Sequence, residues 1–270
     1  MKLKITQSEI LKLTHGDRPE FSGTTQSAVE IKGEFDQKNL RLDDSMVHIW
    51  HLVLPISENT VKKFEDELAI DEIIRANNFR YKEHQEQFIC SRGGLRNILS
   101  HYLKTSPQKI KFQYTSYGKP YLENTDLAFN TSHSGKYIVY AITRKACIGV
   151  DVEEIKYDLD FLQLAKTTFS EAEYLNFIKL PVEDRAFAFY RLWTRKEAFL
   201  KAIGTGLHYP LDEVEVSFLP TETVKLVNIK FQPTEAQLWG IDEIVLDNNH
   251  VAAIATRQKY HNICLYRWEI

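Results

Sequence analysis

Cysteine is scarce in this chain of 270 residues: there are three, Cys90, Cys147 and Cys264. They lie far apart and form no CxxC or Cys/His spacing, which argues against both a disulfide framework and a zinc site. Long apolar runs are missing too. The start, MKLKITQSEILKLTHGDRPEF, has no signal-like apolar core, and no later stretch approaches the length of a membrane span. The expectation is a soluble, cytoplasmic protein without membrane attachment. Nor is there an excess of one charge, since 34 basic and 37 acidic residues leave a formal net charge of −3. Nothing global therefore favours nucleic-acid binding, and any anionic ligand must be held by a local basic site. The sequence also lacks GxxxxGKS/T, GxGxxG and GxSxG. The usual signatures of P-loop enzymes, Rossmann dehydrogenases and α/β-hydrolases are thus absent.

What is present is an ordinary globular composition, 43% hydrophobic and 26% charged, in a chain long enough for one large domain or two small ones. Residues 1–45 are polar and rich in turn formers, which predicts a loosely ordered extension. MVHIWHLVL (46–54) is the first convincing strand. Helical text follows in ENTVKKFEDEL and DEIIRANNFRYKEHQEQFICSRGGLRNILSHYL. IKFQYTSYGKPYL alternates and breaks at Gly118 and Pro120, and DLAFNTSHSGKYIVYAITR reads as a hairpin around SHSG. A second series begins with the strand ACIGVDVEEI and continues with helices at SEAEYLNFI and over about 183–203. The strands EVEVSF, VKLVNIKF, AQLWGIDEIVL, HVAAIAT and NICLYRWEI close the chain. Both series run strand, helices, strands, which predicts an α+β fold of two similar halves, 46–145 and 146–270, without evident sequence identity between them.

Strand alternation in CIGVDVEEI sends Ile148, Val150 and Val152 one way and Gly149, Asp151 and Glu153 the other. Two carboxylates at i and i+2 are either a solvated strand face or a site for a hard cation such as Mg²⁺, which takes one or two carboxylates plus phosphate and water oxygens. In the helix FYRLWTRKEAFLKAI, Leu192 centres an apolar stripe with Phe189, Phe199 and Ile203. Glu197 and Lys201 fall on the far side, one turn apart, with Trp193 one turn earlier. They are either a surface ion pair or part of a site. Lys196 projects near the stripe, where a bare ammonium is costly unless a carboxylate pairs with it. Gly204 and Gly206 supply the turn that stops the helix. Ser132 and His133 are either incidental or a phosphate cradle in a tight turn, and Lys119 in GKP is either a solvated lysine or a phosphate contact. Ser170 and Glu173 fit a capping box. Glu183 and Asp184 suit the first turn of the long helix, where its dipole favours carboxylates.

Taken in this order, the fragments resemble the Sfp-type 4′-phosphopantetheinyl transferases. IGVDVE (148–153) and WTRKEAFLK (193–201) resemble that family's two signatures, GKP (118–120) and NTSHSG (130–135) match further segments, and FRYKEHQEQFICSRGGLR (79–96) resembles its arginine-rich helix. The resemblance implies a pseudo-dimeric α+β fold with coenzyme A in the cleft between the halves, acting as a monomer. It implies transfer of phosphopantetheine from coenzyme A to a serine hydroxyl of an apo acyl or peptidyl carrier protein, releasing 3′,5′-ADP. By position Asp151, Glu153 and Glu197 correspond to Mg²⁺ carboxylates, and Lys201 to a pyrophosphate contact. Lys119, Ser132 and His133 correspond to coenzyme A phosphate contacts. Arg75 matches a basic position near the 3′-phosphate, with Arg80, Arg92 and Arg96 as other candidates there. Glu197 is the expected base for the serine proton, directly or through a water on the metal. The chain departs from the family pattern in its first 45 residues and at Gln87 and Phe88. The rival readings are another Mg²⁺-dependent pyrophosphate-cleaving transferase and a catalytically silent carrier-protein binding module.

Overall fold

The computed structural model describes residues 29–31, 40–219, 222–230, 232–257 and 262–268. Most of the expected extension, 1–28 and 32–39, lies outside the described residues, but 29–31 form a strand. The first sheet has the order β1-β12-β2-β6-β5, with β1 at Val29–Ile31, β2 at Met46–Val53, β5 at Leu127–Ser134, β6 at Tyr137–Arg144 and β12 at Asn262–Arg267. The last described strand is thus inserted, parallel to both neighbours, between the first two described strands. The second sheet has the order β10-β11-β7, with β7 at Ile148–Glu154, β10 at Gly240–Ile244 and β11 at His250–Thr256, all antiparallel. Two small hairpins complete the strands, β3 (Gln113–Tyr114) with β4 (Pro120–Tyr121) and β8 (Val214–Val216) with β9 (Leu226–Ile229).

Among the described residues, six α-helices cover the sheets. Helices α1 (Glu58–Asp66), α2 (Ile70–Asn77) and α3 (Lys82–Leu103) belong to the first half, and α4 (Phe161–Thr168), α5 (Glu171–Phe177) and α6 (Val182–Ile203) to the second. The sequence treats 71–103 as continuous helical text, but the chain breaks at 78–81 to turn α2 onto α3. Helix α4 has no counterpart among the expected elements. None of the described helices is long and apolar enough to cross a membrane.

Each half sets a 22-residue helix, α3 or α6, against its own sheet, and the two sheets meet through their other faces. Val47, Ile49, Val139 and Ala141 of the first sheet pack there on Ile148, Val150, Val152, Ala252 and Ile254 of the second. Trp50, Leu52, Tyr140 and Ile142 point the opposite way, into the core under α3. Strand β2 is therefore buried on both faces, which is why its sequence is almost continuously apolar. The alternation read in β7 holds: Ile148, Val150 and Val152 enter the sheet–sheet core, and Asp151 and Glu153 look towards α6.

Gly149, on that second face, sets how close α6 comes to β7. A Cβ there would overlap the Ala198 carbonyl and the Ala202 amide of the helix. Gly149→Ala should therefore push the helix off the strand and lower the unfolding free energy by about 1–3 kcal/mol. Urea denaturation checks this, and a midpoint equal to that of the unaltered protein would show that the helix has room to spare.

Candidate active site

Helix α6 is buried on nearly every side. Of the residues from Ala188 to Leu200, all but Trp193 are buried. The far side of the helix is thus not an outer edge, as the stripe around Leu192 predicts. Glu197 and Lys201 line a cavity there, while a layer of α4, α5 and β8 covers the helix on the side of Lys196, and the buried polar side chains find partners inside. Lys196 Nζ lies 2.5 Å from Glu173 Oε2 and donates to the carbonyls of Leu211 at 2.8 Å and Thr168 at 3.3 Å. Glu173 also accepts from the Ser170 and Val216 amides, each at 2.9 Å, so the capping box is present and serves a second purpose. Arg191 and Arg195 both reach Glu243 on β10. These pairs fix the rotation of the helix about its axis, and hence the direction of Glu197. Gly204 ends it at φ 81°.

The opposite wall is held by side chains of β5 rather than by a backbone ladder. Asn130 Oδ1 accepts the Val150 amide at 2.9 Å, Ser132 Oγ the Val152 amide at 3.3 Å, and Ser134 Oγ the Glu154 amide at 3.0 Å. Strand alternation puts 130, 132 and 134 on one side of β5 and these three amides on one edge of β7. Ser132 and His133 are accordingly strand residues, paired in register with Val139 and Ile138. The expected cradle of turn amides does not form around them: the turn itself is Gly135–Lys136, with Gly135 at φ 52°.

Between β5, β7 and α6 lies an open cavity of about 310 Å³. Asp151, Glu153 and Glu197 line it together with Lys201, Ser132 and His133, and Thr131, Trp193 and Leu207 complete the wall. Ser132 Oγ donates to Asp151 Oδ1 at 2.9 Å, and Lys201 Nζ reaches the same oxygen at 2.5 Å and Ser132 Oγ at 2.9 Å. Ser134 donates to Glu153 Oε2 at 2.9 Å. Burial pushes the Glu197 carboxyl up to about 7, with the Asp151 charge adding to the shift and Lys201 opposing it. Asp151 and Glu153 are raised by burial as well, and Asp151 is drawn back by Lys201. The His133 imidazole, at the exposed rim but crowded by protein, is held below its usual value by that crowding and then by the Lys201 charge.

Two carboxylate oxygens of the cavity lack a donor among the described residues. Asp151 Oδ2 and Glu197 Oε1 are buried with no hydrogen-bond partner, on residues only 3% and 8% exposed. Such atoms in a carboxylate-rich cavity suit a hard cation. Among the described residues no three His, Cys, Asp or Glu side chains are gathered tightly enough to hold an ion by themselves. An ion here would need oxygens from a ligand or water as well, as Mg²⁺ commonly does. A second groove, about 530 Å³ beside Trp239 and β9, contains no carboxylate among its lining residues.

The other predicted residues lie elsewhere. Lys119 crosses from the β3–β4 hairpin to the second half, where its ammonium donates to the Ile148 and Ala202 carbonyls at 2.9 Å each. Burial lowers it to about 8, and it does not line the cavity. Arg96 is buried on Glu72 at 2.5 Å and on the carbonyls of Pro107 and Ile110. Arg92 shares Glu72 at 3.5 Å. Arg75 and Arg80 are exposed and lie over the rings of Phe88 and Tyr81, at 5.0 and 5.4 Å. Asn130 and Ser134 are the residues that reading the sequence misses. The period-two run of polar residues, Asn130, Ser132 and Ser134, was the available signal.

A family model described as the 4′-phosphopantetheinyl transferase superfamily matches residues 147–255, and one described as 4′-phosphopantetheinyl transferase, N-terminal, matches 57–145. The chain is 39% identical to the 4′-phosphopantetheinyl transferase HetI of a Nostoc species, over 80% of this chain and 90% of that one. It is 30% identical to the 4′-phosphopantetheinyl transferase Sfp of Bacillus subtilis, over 60% and 71% of the two chains. With the L-aminoadipate-semialdehyde dehydrogenase-phosphopantetheinyl transferase of Xenopus laevis it shares 32% identity over 69% and 67%.

The buried pair behind the site can be tested by itself. Lys196→Met leaves Glu173 charged and without its cation, and should cost about 3–5 kcal/mol of stability. Chemical denaturation measures this, and a loss below about 1 kcal/mol would place the rotation of α6 in other hands.

Proposed function

The chain belongs to the 4′-phosphopantetheinyl transferase superfamily, and on that premise we propose that its cavity transfers 4′-phosphopantetheine from coenzyme A to a serine of an apo carrier protein, with Mg²⁺ as cofactor. The observation that carries the reading is the convergence of Asp151, Glu153, Glu197 and Lys201 on one cavity between two halves. The two buried, donor-free oxygens support metal binding: Asp151 Oδ2 and Glu197 Oε1 would hold the ion, with Glu153 beside them and ligand oxygens completing the shell. Mg²⁺ bound there supplies positive charge against the diphosphate.

The chain's own residues do the rest. The carrier serine hydroxyl attacks the phosphorus that bears pantetheine, that phosphorus parts from the bridging oxygen, and 3′,5′-ADP leaves. Negative charge grows on the departing diphosphate oxygen, where the Lys201 ammonium can follow it, since its side chain reaches from the last turn of α6 into the cavity. His133, at the rim beside Lys201, is placed for a phosphate oxygen. The Glu197 carboxylate accepts the serine proton, directly or through a water: burial and the neighbouring carboxylates raise its basicity, which matches a base to work near neutrality. Ser132 and Ser134 orient Asp151 and Glu153. Lys119 belongs to the frame in this reading, joining the first half to β7 and α6, and Arg75 and Arg80 remain the exposed cations for a 3′-phosphate. Both walls of the cavity come from one chain, so the reading takes the active form as a monomer.

Mass spectrometry of several apo carrier proteins incubated with the protein, coenzyme A and Mg²⁺ should show the gain of one phosphopantetheinyl group on at least one of them. No adduct on any would overturn the assignment. Adducts that form from another nucleotide without coenzyme A would favour a different pyrophosphate-cleaving transferase. Glu197→Gln should retain the unfolding midpoint of the unaltered protein and lose transfer by about 100-fold or more. Near-normal turnover in that variant would remove Glu197 from the proton step.

A further inference from the structure

One carboxylate of the site faces two demands. Asp151 Oδ1 is held by the Lys201 ammonium at 2.5 Å, and Ser132, which donates to that oxygen, also accepts from Lys201. Lys201 shares one cavity wall with all three carboxylates, Asp151, Glu153 and Glu197. A divalent cation held by Asp151 Oδ2 and Glu197 Oε1 would therefore sit beside an ammonium already bound to the same carboxylate, and the two repel.

The three lysines around the long helix differ in what they can do about this. Lys196 has three acceptors and a side chain 1% exposed. Lys119 is fixed on two carbonyls deep between the halves. Lys201 has a side chain 27% exposed, and both its partners lie in the cavity wall. It stands in the last turn of α6, one turn before the Gly204 cap. A flexible four-carbon stem at an open cavity lets the ammonium leave Asp151 for a better anion. A diphosphate in the cavity is such an anion.

We propose that Lys201 opposes metal binding at Asp151 until the diphosphate of coenzyme A draws its ammonium away, so that coenzyme A enters before the metal and the metal site is completed on the bound nucleotide. The proposal rests on the transferase reading, through coenzyme A as the ligand that supplies the diphosphate. Lys201 then has two successive partners, and its ammonium couples the two binding events. Coupling of this kind is reciprocal, so the metal strengthens coenzyme A binding by the same factor.

The experiment is Mn²⁺ binding, read from the paramagnetic resonance signal of the free ion, on the full chain with and without coenzyme A and with coenzyme A alone as the blank. Unaltered protein, Lys201→Met and Lys201→Arg are compared at one pH and ionic strength. Without coenzyme A, Lys201→Met should bind Mn²⁺ at least about tenfold more tightly than the unaltered protein, and Lys201→Arg, which keeps the charge, should not. Adding coenzyme A should strengthen Mn²⁺ binding more in the unaltered protein than in Lys201→Met. Equal or weaker Mn²⁺ binding by Lys201→Met without coenzyme A overturns the proposal while leaving the transferase reading intact. If none of the three binds Mn²⁺ even with coenzyme A, the reading of the cavity fails and the proposal with it.

Discussion

The structure depends on three side chains that stand in for a missing strand. Strand β7 ends its sheet, and the amides of Val150, Val152 and Glu154 would face away from any ladder. Asn130, Ser132 and Ser134 of β5 accept them instead. A backbone ladder would have joined the two sheets into one and filled the space between them with peptide groups. Side-chain acceptors join the halves at a greater distance and leave room on one side for a cavity. Because the same serines also donate to Asp151 and Glu153, the seam between the halves and the orientation of the carboxylates are one hydrogen-bond system. Unmet amides inside a protein are expensive, so this seam resists sliding by a residue, and the carboxylates keep their aim.

Against that fixed strand the protein places a helix that is itself immobilised from behind. Three carboxylates near one another are electrostatically unfavourable, and burial adds to the penalty, as the raised Glu197 carboxyl records. Lys201 offsets part of it through Asp151. The remaining strain is tolerable because α6 cannot rotate to relieve it. Gly149 admits the helix to the strand, and Lys196, Arg191 and Arg195 are each tied to an acid on another element. Carboxylates crowded against their own repulsion are ready for a cation.

The sequence makes the local elements of this arrangement legible and its layers much less so. Alternation in 148–154 correctly separates the core face from the carboxylate face, and the capping box and Gly204 fix helix ends through chemistry that acts over three or four residues. The cover over α6 is not legible, because a helix buried on all sides between polar partners presents no clean stripe. Glu197 and Lys201 therefore read as a surface pair by periodicity alone, whereas Lys196, near the stripe, calls for a carboxylate, and Glu173 is that partner. Lys119 shows the opposite limit. Its motif marks it out, but a motif cannot say that two carbonyls distant in the chain lie within 2.9 Å of the ammonium.

Strand β12 carries a consequence for how the molecule is made. Residues 262–267 lie between β1 and β2 in the first sheet, so a sheet that begins with residues 29–31 and 46–53 is completed only by a strand that follows all the other described strands in the sequence. Until then β2 has an open edge, rich in apolar and aromatic side chains, of the kind that invites pairing with other chains. The pairing that closes it is also among the most distant in the sequence, and such contacts form slowly. The first half therefore has no finished sheet of its own, and docking of β12 is the step that covers the open edge of β2.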